Sequence, residues 1–142
     1  MAKSINEIQD EIIEEFELYD DWLGRYELIC DYGRELKKKP MPEADKNDKN
    51  KIDGCQSTVW FTAKMQDGKI IYEGDSDALL VQGIVAMLLH VLSGHTPREI
   101  VEADLYFIDR IGLREHLSPT RSNGIAAMLK QMKLYALAYQ SK

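Results

Sequence analysis

The chain has 142 residues and a formal charge of −6, from 18 basic residues against 24 acidic ones, and its length is that of one ordinary domain. No basic stripe offsets the acidity, which argues against a nucleic-acid surface because a phosphate backbone would be repelled. Hydrophobic residues make up 44% of the chain, too many for a disordered segment, and its two cysteines are too few for a disulfide scaffold or a four-thiolate zinc site.

Residues 1–13 carry acids among their apolar positions and lack the order of a signal peptide. The longest apolar stretch, 78–92, is interrupted by Gln82, Gly83 and His90 and falls short of the ~20 residues a bilayer span needs. These features predict a cytoplasmic protein without a membrane span, whose cysteines stay as thiols.

In chain order, Ser4 with Glu7 three positions later forms a capping box, and Ile5, Ile8, Ile12 and Phe16 recur at helical spacing. Asp20 and Asp21 can cap a second helix, along which Trp22, Tyr26, Ile29 and Leu36 keep the period, with Cys30 beside the stripe. Two antiparallel helices are expected. Residues 37–51 shift to Lys, Asp, Asn and Glu with two prolines, predicting a mobile surface loop without core residues. Val59, Phe61, Ala63 and Met65 then alternate on one face of a strand. Asp67-Gly68 supplies a tight turn, and residues 69–73 return as a second strand, with a possible third over 51–53.

Asp75, Ser76 and Asp77 are candidate N-caps for the apolar helix that follows, which Gly94 can end. Thr96-Pro97-Arg98-Glu99 starts a short helix, and 105–111 predicts another turn or two. Ser118-Pro119 opens the last helix, with Ile125, Met128, Leu129, Met132 and Tyr135 or Ala136 as its buried stripe. Segregated helices and strands predict an α+β fold over 1–142, a single domain with a small antiparallel sheet packed against helices.

Among residues that could carry chemistry, Cys55 follows Gly54 in a loop and precedes Gln56 and Ser57, a place where a thiol can be reached and ionised. A half-buried cysteine that merely packs is the other reading. Cys30 reads as an inert core thiol, with a resolving partner for Cys55 as the alternative. No CxxC supports a thioredoxin-like pair. His90 and His95 do not share a helix face and read as satisfied or surface residues, while His116 fits a capping or interaction role. Arg121 lies in the first turn of a helix, against the dipole, so it either pairs with a carboxylate or a partner protein or is simply solvated. Asp75 and Asp77 read first as caps and second as partner-recognition residues. Nothing forms a metal-ligand set.

Three segments carry a resemblance: Gly54-Cys55-Gln56-Ser57-Thr58-Val59-Trp60, Gly74-Asp75-Ser76-Asp77-Ala78, and Gly112-Leu113 with His116-Leu117-Ser118-Pro119-Thr120-Arg121-Ser122-Asn123-Gly124. In this order they resemble the SufE family of cysteine desulfuration proteins, including its CsdE branch, over nearly the whole chain. The resemblance implies an α+β fold like that of IscU/NifU scaffolds. It also implies a sulfur acceptor that takes persulfide sulfur from a pyridoxal-phosphate cysteine desulfurase, SufS-like or CsdA-like, and passes it to a SufB-type scaffold component.

Carried onto this chain, the acceptor is Cys55. Gly54, Gln56, Ser57, Asp75, Asp77, His116 and Arg121 are then candidates for supporting its loop or docking the partner. No cofactor, metal or stand-alone enzymatic activity is implied, and shelter of Cys55 in an apolar recess is. The polar stretch 41–50 and Cys30 depart from the family's simplest form. The competing readings are a regulatory module that binds the desulfurase without carrying sulfur, and a cysteine hydrolase, which would need a histidine base near Cys55.

Overall fold

Apolar side chains at most positions of residues 79–92 leave that segment no polar face beyond Gln82 and His90, so the rest of the chain has to enclose most of it. In the computed structural model, which describes residues 3–52 and 57–141, this segment is the central helix. It is α3 (Leu79–Leu92), with Val85, Met87, Leu88, Val91 and Leu92 all shielded from solvent. Preceding it are α1 (Ile5–Glu17), α2 (Trp22–Lys37) and the hairpin strands β1 (Val59–Gln66) and β2 (Lys69–Ser76). After it come α4 (Pro97–Glu102), α5 (Phe107–Arg110), α6 (Leu113–His116) and the long α7 (Pro119–Gln140).

The predicted start signals act as such. Ser4 and Glu7 exchange capping-box hydrogen bonds at α1, as do Thr96 and Glu99 at α4, while the Asp21 and Ser118 side chains accept from Gly24 N–H and Arg121 N–H. Asp67 and Gly68 both take positive φ, 54° and 78°, the backbone a two-residue hairpin turn requires. The strands are antiparallel, pairing Val59 with Ser76 and Gln66 with Lys69. Helix α2 and strand β2 pack on α3, α1 lies against α3 and α5, and α7 covers α4 and β1. The result is the expected α+β architecture.

Three expectations need correction. Strand β2 continues to Ser76 instead of stopping at residue 73, and α3 is capped by Ala78 with no side-chain hydrogen bond. Pairing with β1 therefore absorbs Asp75 and Ser76, and neither Asp75 nor Asp77 caps the helix. The polar stretch 41–50 is not a free loop. Met41 is only 3% exposed, residues Glu43–Asp45 form a 3-10 turn, and Lys46 is ion-paired. Burial of one thioether and an ionic tie offset the cost of ordering an otherwise polar segment. The third strand reduces to an isolated bridge between Lys51 and Trp60, because the Asn50 side chain and N–H turn back to Asp45 O and Asn47 O. Asp53 lies outside the described residues.

Candidate functional site

Gly54, Cys55 and Gln56 also lie outside the described residues, and the site is built from what flanks them. On the entry side, Asn50 O accepts from Phe61 N–H at 3.0 Å and Ile52 N–H donates to Val59 O at 2.8 Å, so the chain runs along the outer edge of β1. The Ile52 side chain is buried. On the exit side, Thr58 and Asp77 hold each other: Thr58 N–H donates to Asp77 Oδ1 at 3.1 Å and Asp77 N–H to Thr58 O at 3.3 Å. Ser76 Oγ–H adds a bond to Thr58 O at 2.9 Å. The hydrogen bonds of Asp77 thus go to the chain beside Cys55, not to α3.

Asp75 sits beneath this arrangement with its side chain 5% exposed. Its Oδ1 accepts from Ser76 N–H at 2.9 Å and faces Lys37 Nζ at 3.5 Å, while Oδ2 lies 2.9 Å from Lys46 Nζ. Burial alone would raise the carboxyl's pKa, but the Lys46 bond, the Ser76 N–H and Lys37 together hold it below the ordinary aspartate value. Asp75 is therefore an internal anion joining α2, β2 and the Lys46 segment. Its carboxylate is not presented to a partner.

Ser57 contributes to a small cavity of about 20 Å³, room for one water-sized group. Val81 and Ile84 of α3 and Ile125 and Met128 of α7 give it apolar walls, and Gly124 and Arg121 complete it. The Nη1 of Arg121 is buried and has no hydrogen-bond partner among the described residues. Arg121 is therefore neither fully solvated nor paired with a described carboxylate. Its guanidinium brings a buried cationic donor to an apolar recess two residues along the chain from Cys55, an environment suited to an anionic sulfur.

His116 lies at the corner between α6 and α7. Its ring stacks on Trp22 with centroids 4.3 Å apart and planes 2° from parallel, and Nδ1 meets Gly112 O at 2.9 Å. The carbonyl can only accept, so Nδ1 carries the proton. The other histidines stay away from the recess: His90 is exposed near Tyr32, and buried His95 contacts Leu92 O and Lys3 O. Cys30 is 2% exposed in α2, and burial pushes its thiol pKa up, which suits packing and not attack. No cluster that could hold a metal occurs among the described residues, and no described helix is long and apolar enough to cross a membrane.

Sequence reasoning named Ser57 and Arg121 but missed Lys46, Lys37 and Trp22. Trp22 read as stripe, and Lys46 lay in a stretch whose composition concealed its one ionic partner.

Comparison with known proteins adds a family. The model of the family "SufE: Fe-S metabolism associated domain" matches residues 10–136. An uncharacterized SufE-like protein of Synechocystis sp. is 46% identical over 129 residues, covering 91% of this chain and 80% of that protein. A similar protein of Rhizobium meliloti is 39% identical, covering 87% and 91%. The SufE-like protein 1, chloroplastic/mitochondrial, of Arabidopsis thaliana is 36% identical over 133 residues, 93% of this chain but 35% of that longer protein. A solution structure of a hypothetical protein from Thermus thermophilus superposes with a TM-score of 0.74 over 95% of this chain and 97% of that one. At 21% identity it speaks for the fold alone.

Proposed function

The chain belongs to the SufE family, with a role in Fe-S metabolism, and from that premise we propose that it is a sulfur acceptor whose acceptor thiol is Cys55. The sulfur donor is a pyridoxal-phosphate cysteine desulfurase, SufS-like or CsdA-like, which the chain stimulates, and the recipient is a SufB-type scaffold component. The chain is thus a transfer partner and not a stand-alone enzyme. A lone reactive thiol fits a reducing compartment such as the cytoplasm.

The chemistry follows thiol–disulfide exchange. The Cys55 thiolate attacks the outer sulfur of the desulfurase persulfide, and a new S–S bond forms at Cys55. The original S–S bond breaks, and the inner sulfur leaves as the desulfurase's cysteine thiolate. No net oxidation occurs, so one cysteine suffices. The observation that carries this reading is the recess beside Ser57, walled by four apolar side chains, to which Arg121 brings a buried N–H without a described partner. A persulfide has a low pKa and is an anion near neutrality, so a cationic donor at an otherwise apolar wall favours its retention. Ser76, Asp77 and the hydrogen bonds of Thr58 brace the chain on the exit side. His116 on its Trp22 platform and Arg121 are the docking candidates.

In a desulfurase assay, Cys55→Ser is expected to abolish stimulation and Cys30→Ser to leave it largely intact. Equal loss in both variants would contradict a single acceptor at Cys55. Retained stimulation in Cys55→Ser would favour the regulatory module that carries no sulfur.

A further inference from the structure

Lys46 stands in the most polar stretch of the chain, yet its side chain is only 21% exposed. Its Nζ lies 2.9 Å from the buried Asp75 Oδ2 and 5.9 Å from the centre of the Trp60 ring. Trp60 and Asp75 face each other in the register of β1 and β2, so Lys46 closes over one rung of the hairpin. The contact with Glu43, at 3.3 Å, is to a side chain 88% exposed and adds little. A buried carboxylate draws a lysine ammonium to such a place, because it needs a cation to offset its lost hydration. The hydrogen bond to Asp75 accordingly raises the pKa of Lys46 above the ordinary lysine value.

The consequence runs along the backbone. From Lys46 the chain makes one turn, closed by Asn50, and then lies on β1 through Asn50 and Ile52, whose N–H bonds to Val59 O. Asp75 is the neighbour of Ser76, which with Asp77 holds Thr58 on the exit side. One carboxylate therefore registers the entry segment against the residues that hold the exit segment. Lys37 is the second cation on Asp75 and also donates to Ser76 O at 3.1 Å, so loss of Lys46 does not leave a buried charge unpaired.

We propose that Lys46 is a positioning residue for the acceptor reaction: through Asp75 it fixes the segment 46–52 on the hairpin, and so sets how readily the Cys55 thiol reacts. This rests on Cys55 being the acceptor, but its test does not require sulfur transfer.

The full-length protein is treated with iodoacetamide under native conditions, and alkylation at Cys55 and Cys30 is timed separately by peptide mass spectrometry. Lys46→Met is expected to raise the Cys55 rate by about threefold or more by loosening the segment 46–52, with the Cys30 rate unchanged. Lys46→Arg, which keeps the cation and its donors, is expected to stay within about twofold of wild type. An unchanged Cys55 rate in Lys46→Met overturns the proposal. So does a parallel rise at buried Cys30, which reports general loosening. If these rates behave as expected but no sulfur is ever found on Cys55, the acceptor reading fails, and what stands is the control of Cys55 reactivity by Lys46.

Discussion

Asp75 carries most of the electrostatics near the site, and its pKa direction has a definite consequence for stability. The carboxyl is held below its ordinary value in the fold, so the unfolded chain binds the proton more readily. The stabilisation is thus complete above the ordinary aspartate range and is lost as pH falls through the lowered native value. Asp75→Asn is expected to lower unfolding free energy at pH 7 by about 1–3 kcal/mol, the range for an impaired buried charged hydrogen bond. The gap from wild type is expected to close as pH drops below the aspartate range, as urea melts at both pH values would read. A gap that stays constant would place the effect in packing. At this scale the sequence was legible by motif and not by role: Asp75 and Asp77 stood out, but as caps, because nothing local shows that β2 extends past residue 73. Arg121 was conspicuous for opposing the helix dipole, while its recess depends on α3 and α7 meeting, a long-range fact.

Helices α2 and α3 meet almost backbone to backbone. A Cβ on Gly83 would lie 2.1 Å from Ile29 O, and one on Gly33 would lie 2.9 Å from Gly83 N. Because the first obstacle is a carbonyl and not a flexible side chain, Gly83→Ala has to push the helices apart, although alanine favours an isolated helix. The expected cost is about 2 kcal/mol or more in urea unfolding, whereas an alanine at the open Gly68 turn strains only its positive φ. A neutral or stabilised Gly83→Ala would refute the close packing. Elements with dense local signals were readable: capping boxes at α1 and α4, the Asp67-Gly68 turn, and the Ser118-Pro119 start. The stretch 41–50 was not, since Met41 is buried at a pocket it lines with Tyr72 and Leu89, and Lys46 pairs with Asp75, all distant in sequence.

Across the whole molecule, the formal charge of −6 coexists with cations drawn inward at two places, Lys46 and the more exposed Lys37 against the buried Asp75 carboxylate, and the Nη1 of Arg121 at the recess. The fold places both beside the segment that carries Cys55, one on the hairpin side and one between α3 and α7. That division of labour would suit the proposed carrier, which must hold an anionic sulfur and then surrender it. Scarcity of cysteine fits the same account, because Cys30 is enclosed in α2 and leaves one thiol for the proposed transfer. The most direct test incubates the protein with a cysteine desulfurase and cysteine, then locates added mass by peptide mass spectrometry without reductant. The expected result is a single sulfur on the peptide containing Cys55, absent from Cys55→Ser and removed by dithiothreitol. Stimulation of the desulfurase with no sulfur on Cys55, or with sulfur on Cys30 instead, would contradict the account.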